Sequence, residues 1–171
     1  MDIKLKQVSS LEKIRLDTID TAGEFRKRTV MKGETFSYQI ALQSYDTFEF
    51  SVSVDSPLSK HIKIYSVKNV IADFPTYTFA DNEYITKEPC LMPDLLMPLD
   101  LENGLIKLNG DVCALSVTVN IPEYFVPGLY HININISLTE QFSNSRQEKI
   151  NITKTLTVDV INKKVSPQKT I

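Results

Sequence analysis

The sequence contains no tryptophan, and only two cysteines, two histidines and five glycines among its 171 residues. Each scarcity removes a class of function. Two thiols, Cys90 and Cys113, do not make the disulfide framework of a small secreted domain. They read as reduced thiols, one in a loop and one entering a strand, with a single bridge between them left open by spacing alone. Five glycines with no Gly-x-Gly pair argue against phosphate-cradling and dinucleotide-binding loops, whose backbones must approach the ligand closely. No serine sits in a nucleophile elbow. Neither His61 nor His131 has a Cys or His neighbour at metal-ligand spacing, so the plain reading of both is a surface side chain. The net charge is −2, and no cluster of Lys and Arg interleaved with aromatics supplies the positive field that nucleic acid requires. No apolar run approaches the length of a membrane span. The opening "MDIKLKQVSS" has neither an apolar h-region nor a cleavage site, so a cytoplasmic location is expected. Asn135-Ile-Ser and Asn151-Ile-Thr match the glycosylation pattern, but without a leader they read as chance matches in Asn-rich strands.

What the chain does have is period-two alternation. Phe36, Tyr38, Ile40 and Leu42 fall on one side of their stretch, with Ser37, Gln39 and Gln43 on the other. Phe48, Phe50, Val52 and Val54 repeat the pattern, as do Ile62 with Ile64, and Leu115, Val117, Val119 with Ile121. Tyr130, Ile132, Ile134, Ile136 and Leu138 form the strictest set. Ile150, Ile152, Leu156, Val158 and Val160 close the series, with Lys154 as the only polar member of that face. A lysine there predicts the rim of a core, its stem packed and its ammonium in water. Such alternation predicts strands with one dry face and one wet face, the mark of antiparallel sheets packed in layers. Asn103-Gly104 and Asn109-Gly110 bracket "LIKL" as a short strand between tight turns, since Asn-Gly tolerates positive φ. Pro127-Gly128 marks a corner, and "EQFSNSRQEK" reads as a long hairpin tip. Ser9-Ser-Leu-Glu12 matches a helix capping box, but "VSSLEKIRLD" fits an edge strand with a bulge better. The expected fold is all-β: a single antiparallel β-sandwich of immunoglobulin-like or jelly-roll-like type with little helix, spanning 1–163. Residues 164–171 lose alternation and read as the start of a linker to a further domain.

One segment resists this pattern. "PCLMPDLLMPLD", Pro89 to Asp100, is too proline-rich for a helix or central strand and too apolar for an ordinary surface loop. Its only charge before Leu99 is Asp94, which should accept a particular hydrogen bond. Asp94, Asp100 and Glu102 are the carboxylates to consider for glycosidic chemistry, though Asp100 and Glu102 read more simply as polar turn residues. The aromatic group "FPTYTFADNEY" offers Tyr77, Phe79 and Tyr84 as sugar-stacking candidates, a role weakened by the missing tryptophan.

Four stretches in order, "KGETFSYQIALQ" (32–43), "EPCLMPDLLMPLDLENGLIKL" (88–108), "ALSVTVNIPEYFVPGLYHININI" (114–136) and "SPQKTI" (166–171), together resemble the N-terminal domain of glycoside hydrolase family 123-like proteins. The segment Pro93, Asp94, Leu96, Pro98, Leu99 is the most specific mark. The resemblance implies a non-catalytic β-sandwich preceding a TIM-like barrel that removes β-linked N-acetylgalactosamine. The catalytic Asp-Glu pair would belong to that barrel, so no catalytic residue is assigned here, and no metal or cofactor is implied. This chain itself is then not an enzyme, although its parent is. Its partners would be the C-terminal catalytic domain of the same polypeptide and, secondarily, a glycan. Leu91, Met92, Pro93, Asp94, Leu95, Leu96, Met97, Pro98 and Leu99 are the interface candidates, because an exposed apolar segment usually marks a contact surface. The rival readings are a carbohydrate-binding module and a stand-alone interaction domain.

Overall fold

The computed structural model describes residues 3–73, 88–101, 104–109, 111–140 and 149–166. Ten strands run through them: β1 (Ile3–Ser9), β2 (Lys27–Lys32), β3 (Thr35–Ser44), β4 (Thr47–Asp55), β5 (Ile62–Ala72), β6 (Cys90–Pro98), β7 (Ile106–Asn109), β8 (Val112–Asn120), β9 (Gly128–Glu140) and β10 (Lys149–Lys164). A single 3-10 turn at Ser59–His61 is the only helical piece among the described residues. The strands form two five-stranded sheets, β1-β3-β8-β5-β6 (sheet A) and β2-β10-β9-β4-β7 (sheet B). The protein is an all-β sandwich, as the alternation predicts.

The alternating sets meet between the sheets. Tyr38, Ile40 and Leu42 of β3 and Leu115, Val117 and Val119 of β8 face Phe48, Phe50, Ile132, Ile134, Ile136, Leu156 and Val158, and all are buried. Burying one such side chain contributes about 1.5–3 kcal/mol, so this shared layer holds the sheets together. Lys154 is half-buried at the rim of this layer, where its position in the pattern placed it.

Four features depart from expectation. First, β2 runs parallel to β10, Lys27 facing Thr157 and Val30 facing Val160, while the other pairs are antiparallel. Second, residues 10–26 are neither helix nor strand. They drop off the end of β1 and cross the outer face of sheet A as a strap, placing Ile14, Ile19 and Ala22 over Val8, Ala41, Val67, Val112 and Ala114 in a second, smaller core. Third, that outer face is therefore not wet: Gln39 is only 7% exposed and Gln43 4%. Gln39 Nε2 shares its two hydrogens among the carbonyls of Ser9, at the end of β1, and of Ser10 and Glu12 in the strap, at 3.2, 3.2 and 2.8 Å. Fourth, Gly104 is required by close approach rather than by positive φ. A β-carbon there would lie 2.1 Å from the Asp100 carbonyl oxygen, which accepts a hydrogen bond from Gly104 N at 2.8 Å. Gly33, at φ 80, supplies the left-handed turn between β2 and β3.

A candidate interaction surface on the edge of sheet A

The proline-rich segment is a strand, not the loop its composition predicts. β6 pairs antiparallel with β5 from Tyr65↔Pro98 to Ala72↔Cys90 and forms the edge of sheet A. Proline is tolerated on an edge, where no further strand needs its missing N–H. In composition an edge strand of this kind looks the same as an apolar loop. Pro93 and Pro98 also leave gaps in the row of donors that another strand would need for pairing.

β5 pairs with β8 only as far as Val67↔Ala114, so residues 68–72 are held by β6 alone. The result is a two-stranded ribbon beyond the end of the β5–β8 pairing, with Asn69 and Leu91 lining a pocket together with strap residues 14–17. Its register shifts between Lys68 and Asn69, which leaves Asp94 as the extra residue of a bulge. The bulge turns the Asp94 carboxylate toward the strap, where Lys13 Nζ donates to Asp94 Oδ1. This is the particular hydrogen bond expected of Asp94.

Pairing parity sorts the other candidates between two sides. Leu95 and Met97 stand opposite Lys68 and Ser66, on the side that faces sheet B near the core, yet they are 46% and 47% exposed. Met92 shares that side and is half-buried. Leu91 and Leu96 stand opposite Ile71 and Val67 on the strap side, and are 56% and 50% exposed. Pro98 is exposed, and Pro93 half-buried. Leu99 alone turns inward onto the main core, with its N–H donating to the Ile64 carbonyl at 3.0 Å. Tyr77, Phe79 and Tyr84 lie outside the described residues, as does Glu102.

Between the strap and the bulged edge lies a cleft of about 380 Å³ on the outer face of sheet A, lined by residues of the strap, β3, β5, β8 and β6. On its floor the hydroxyls of Ser37 and Thr118 are 2.9 Å apart and hydrogen-bonded to each other.

Elsewhere the chemistry is quiet. His61 meets the ring of Tyr124 edge-on, with centroids 6.4 Å apart. His131 is exposed and lies 3.4 Å from Thr157 Oγ1. Cys90 and Cys113 are both free thiols, with Cys90 at the start of a strand rather than in a loop. Burial pushes the Cys113 thiol up to about 12. Among the described residues no group of three His, Cys, Asp or Glu could hold a metal ion. No described helix is long and apolar enough to cross a membrane.

No protein-family model and no curated protein matches the sequence. Similarity appears among solved structures. A family 123 glycoside hydrolase from Clostridium perfringens, solved in work on glycolipid glycan hydrolysis, superposes with a TM-score of 0.66 at 14% identity. The match covers 94% of this chain but 28% of that enzyme. At this identity it is the fold that is shared. Weaker likenesses include a PapD-like domain of human CEP192, with a TM-score of 0.44, 10% identity, and 94% of this chain and 85% of that one covered. The major pilin subunit BcpA of Bacillus cereus follows at 0.45 and 9%, covering 93% and 40%.

Proposed function

We propose that this chain is a non-catalytic β-sandwich domain that supports and orients the catalytic barrel of a glycoside hydrolase of the family 123 type. The observation that carries the reading is the asymmetry of coverage. Nearly all of this chain superposes on a little over a quarter of such an enzyme, which is the relation of an accessory domain to a larger parent. The ribbon of β5 and β6 gives the proposal a surface. Leu95 and Met97, backed by Met92 and Val70, form an apolar strip on the side that faces sheet B near the core. Burying it against a second domain would remove apolar area from water at about 25 cal/mol per Å². Prolines at 93 and 98 hold the strand extended beforehand and reduce the entropy lost on contact. The interface would then form through side chains, because the same prolines discourage addition of another strand.

The native size of the polypeptide tests the reading. An antibody against this domain should detect a band well above 19.4 kDa, and a native band at 19.4 kDa would overturn it. In the full-length polypeptide, Leu95→Asp with Met97→Asp should make the junction between the domains protease-sensitive while the sandwich keeps its own melting temperature. The isolated chain should not turn over a chromogenic N-acetylgalactosaminide.

A further inference from the structure

The cleft between the strap and β6 is lined for a ligand of its own. Its floor is a set of short hydroxyl side chains on neighbouring strands: Ser37 of β3, and Ser116 and Thr118 of β8. Each hydroxyl can both donate and accept. Gln39 Nε2 is committed to the carbonyls of Ser9, Ser10 and Glu12, which leaves Gln39 Oε1 as an acceptor on the floor. One wall is apolar, made by Val67, Pro93 and Leu96. The strap side carries Glu12, a half-buried residue with no ion pair among the described residues. At the mouth Lys13 and Asp94 neutralise each other. The volume of about 380 Å³ falls within the size class of small-molecule sites, roughly 300–1,000 Å³.

We propose that this cleft binds a neutral pyranose. A pyranose ring presents axial C–H bonds on its faces, which suit the apolar Val67–Pro93–Leu96 wall. Its vicinal hydroxyls are mixed donors and acceptors, as are Ser37, Ser116 and Thr118. Among the lining residues the cation, Lys13, is occupied by Asp94, while the exposed Lys63 stands opposite Thr118 outside that lining. A uronate or sugar phosphate would therefore find no free cation among the lining residues and should bind less tightly than the neutral sugar. The site needs no aromatic platform and lies on the opposite side of β6 from the Leu95–Met97 strip. Sugar binding and domain docking thus stand or fall separately.

Titration of the chain with methyl β-D-galactopyranoside and methyl β-D-glucopyranoside, followed by amide NMR, is the test. Saturable shifts should appear at the Gln39 side-chain amide and at Ser37, Ser116 and Thr118, while D-glucuronate should need a higher concentration to produce them. Ser37→Ala with Thr118→Val removes both partners of one hydrogen bond, a change that is often nearly neutral for folding, and should weaken binding at least about tenfold, or 1.4 kcal/mol. Leu96→Glu, on the exposed edge, should do the same without touching the floor. The proposal is overturned if neither glycoside moves these resonances, if glucuronate moves them equally, or if a folded variant binds undiminished.

Discussion

The two sheets of this sandwich share one core but differ in how they treat polar atoms. Sheet B is simple. Its inner face is hydrocarbon from Phe48 and Phe50 through Ile132–Leu138 to Leu156–Val160, and its outer face is a ladder of paired polar side chains. Thr153 Oγ1 donates to Asn135 at 2.7 Å, Thr155 Oγ1 to Asn133 at 2.8 Å, and Ser137 Oγ to Asn151 at 2.6 Å. Sheet A instead carries Tyr38 and Cys113 inward, a strap outward and an apolar edge. The buried side-chain atoms with no hydrogen-bond partner among the described residues, Gln7 Oε1, Tyr38 Oη, Gln43 Oε1 and Ser66 Oγ, all belong to its strands. Each such atom costs about 1–3 kcal/mol. The sheet that tolerates this cost is also the one with the cleft and the ribbon. Sheet B supplies stability, and sheet A carries the surfaces that can meet something else.

Five perturbations would sharpen or break that contrast. Ile134→Ala, in the hydrocarbon layer, should cost about 2–5 kcal/mol in a urea titration, because the cavity cannot collapse between two sheets. Ile19→Ala under the strap should cost clearly less, since an irregular segment can settle onto the space. Equal costs would mean that the strap is as rigid as the sheets. Gln39→Ala strips the Ser9 carbonyl of β1 and the Ser10 and Glu12 carbonyls of the strap of their donor and should cost about 1–3 kcal/mol, with loss of hydrogen-exchange protection confined to the strap and its neighbours.

The fourth perturbation is pH. The Cys113 thiol is raised from 9.0 to about 12 by burial, and burial raises the Tyr38 hydroxyl in the same direction. Above pH 9 the unfolded chain releases the thiol proton while the folded chain keeps it. Stability is therefore fully present below pH 9 and falls as pH rises toward 12. Cys113→Ala should flatten that decline, and an unchanged alkaline profile would place its cause elsewhere. The smallest effect belongs to Lys13→Met. It breaks a half-exposed ion pair with Asp94, worth about 0–1 kcal/mol, and a larger loss would show that the strap depends on that contact.

The same contrast explains what could be read in the sequence. Sheet B was legible because its alternation has one cause, a dry side and a wet side. In sheet A, Gln39 and Gln43 occupy the predicted outward positions but are buried, since a period of two records which way a residue points and not what covers it. The covering strap has Ile14, Ile19 and Ala22 at spacings that fit neither period, so nothing marked it as part of a core. β6 was hidden by its prolines, although the oddness of Asp94 was correctly visible. The Leu95–Met97 strip and the floor of the cleft come from pairing parity around a bulge, which a single strand's residues do not encode. β2 offers only Val30 as a buried member of "KRTVMK", too little to announce a strand, let alone a parallel one.

That parallel strand has a consequence in time as well as space. β10 is the last of the ten described strands in chain order, yet it lies between β2 and β9 inside sheet B. Until Lys149–Lys164 has been made, β9 presents an open edge and β2 has nothing to pair with. Joining Lys27 to Thr157 closes a loop across most of the chain, the kind of non-local pairing that slows folding and prolongs exposure to aggregation. A chain halted before Lys149 would hold every strand of sheet A and still lack the completed partner against which that sheet folds.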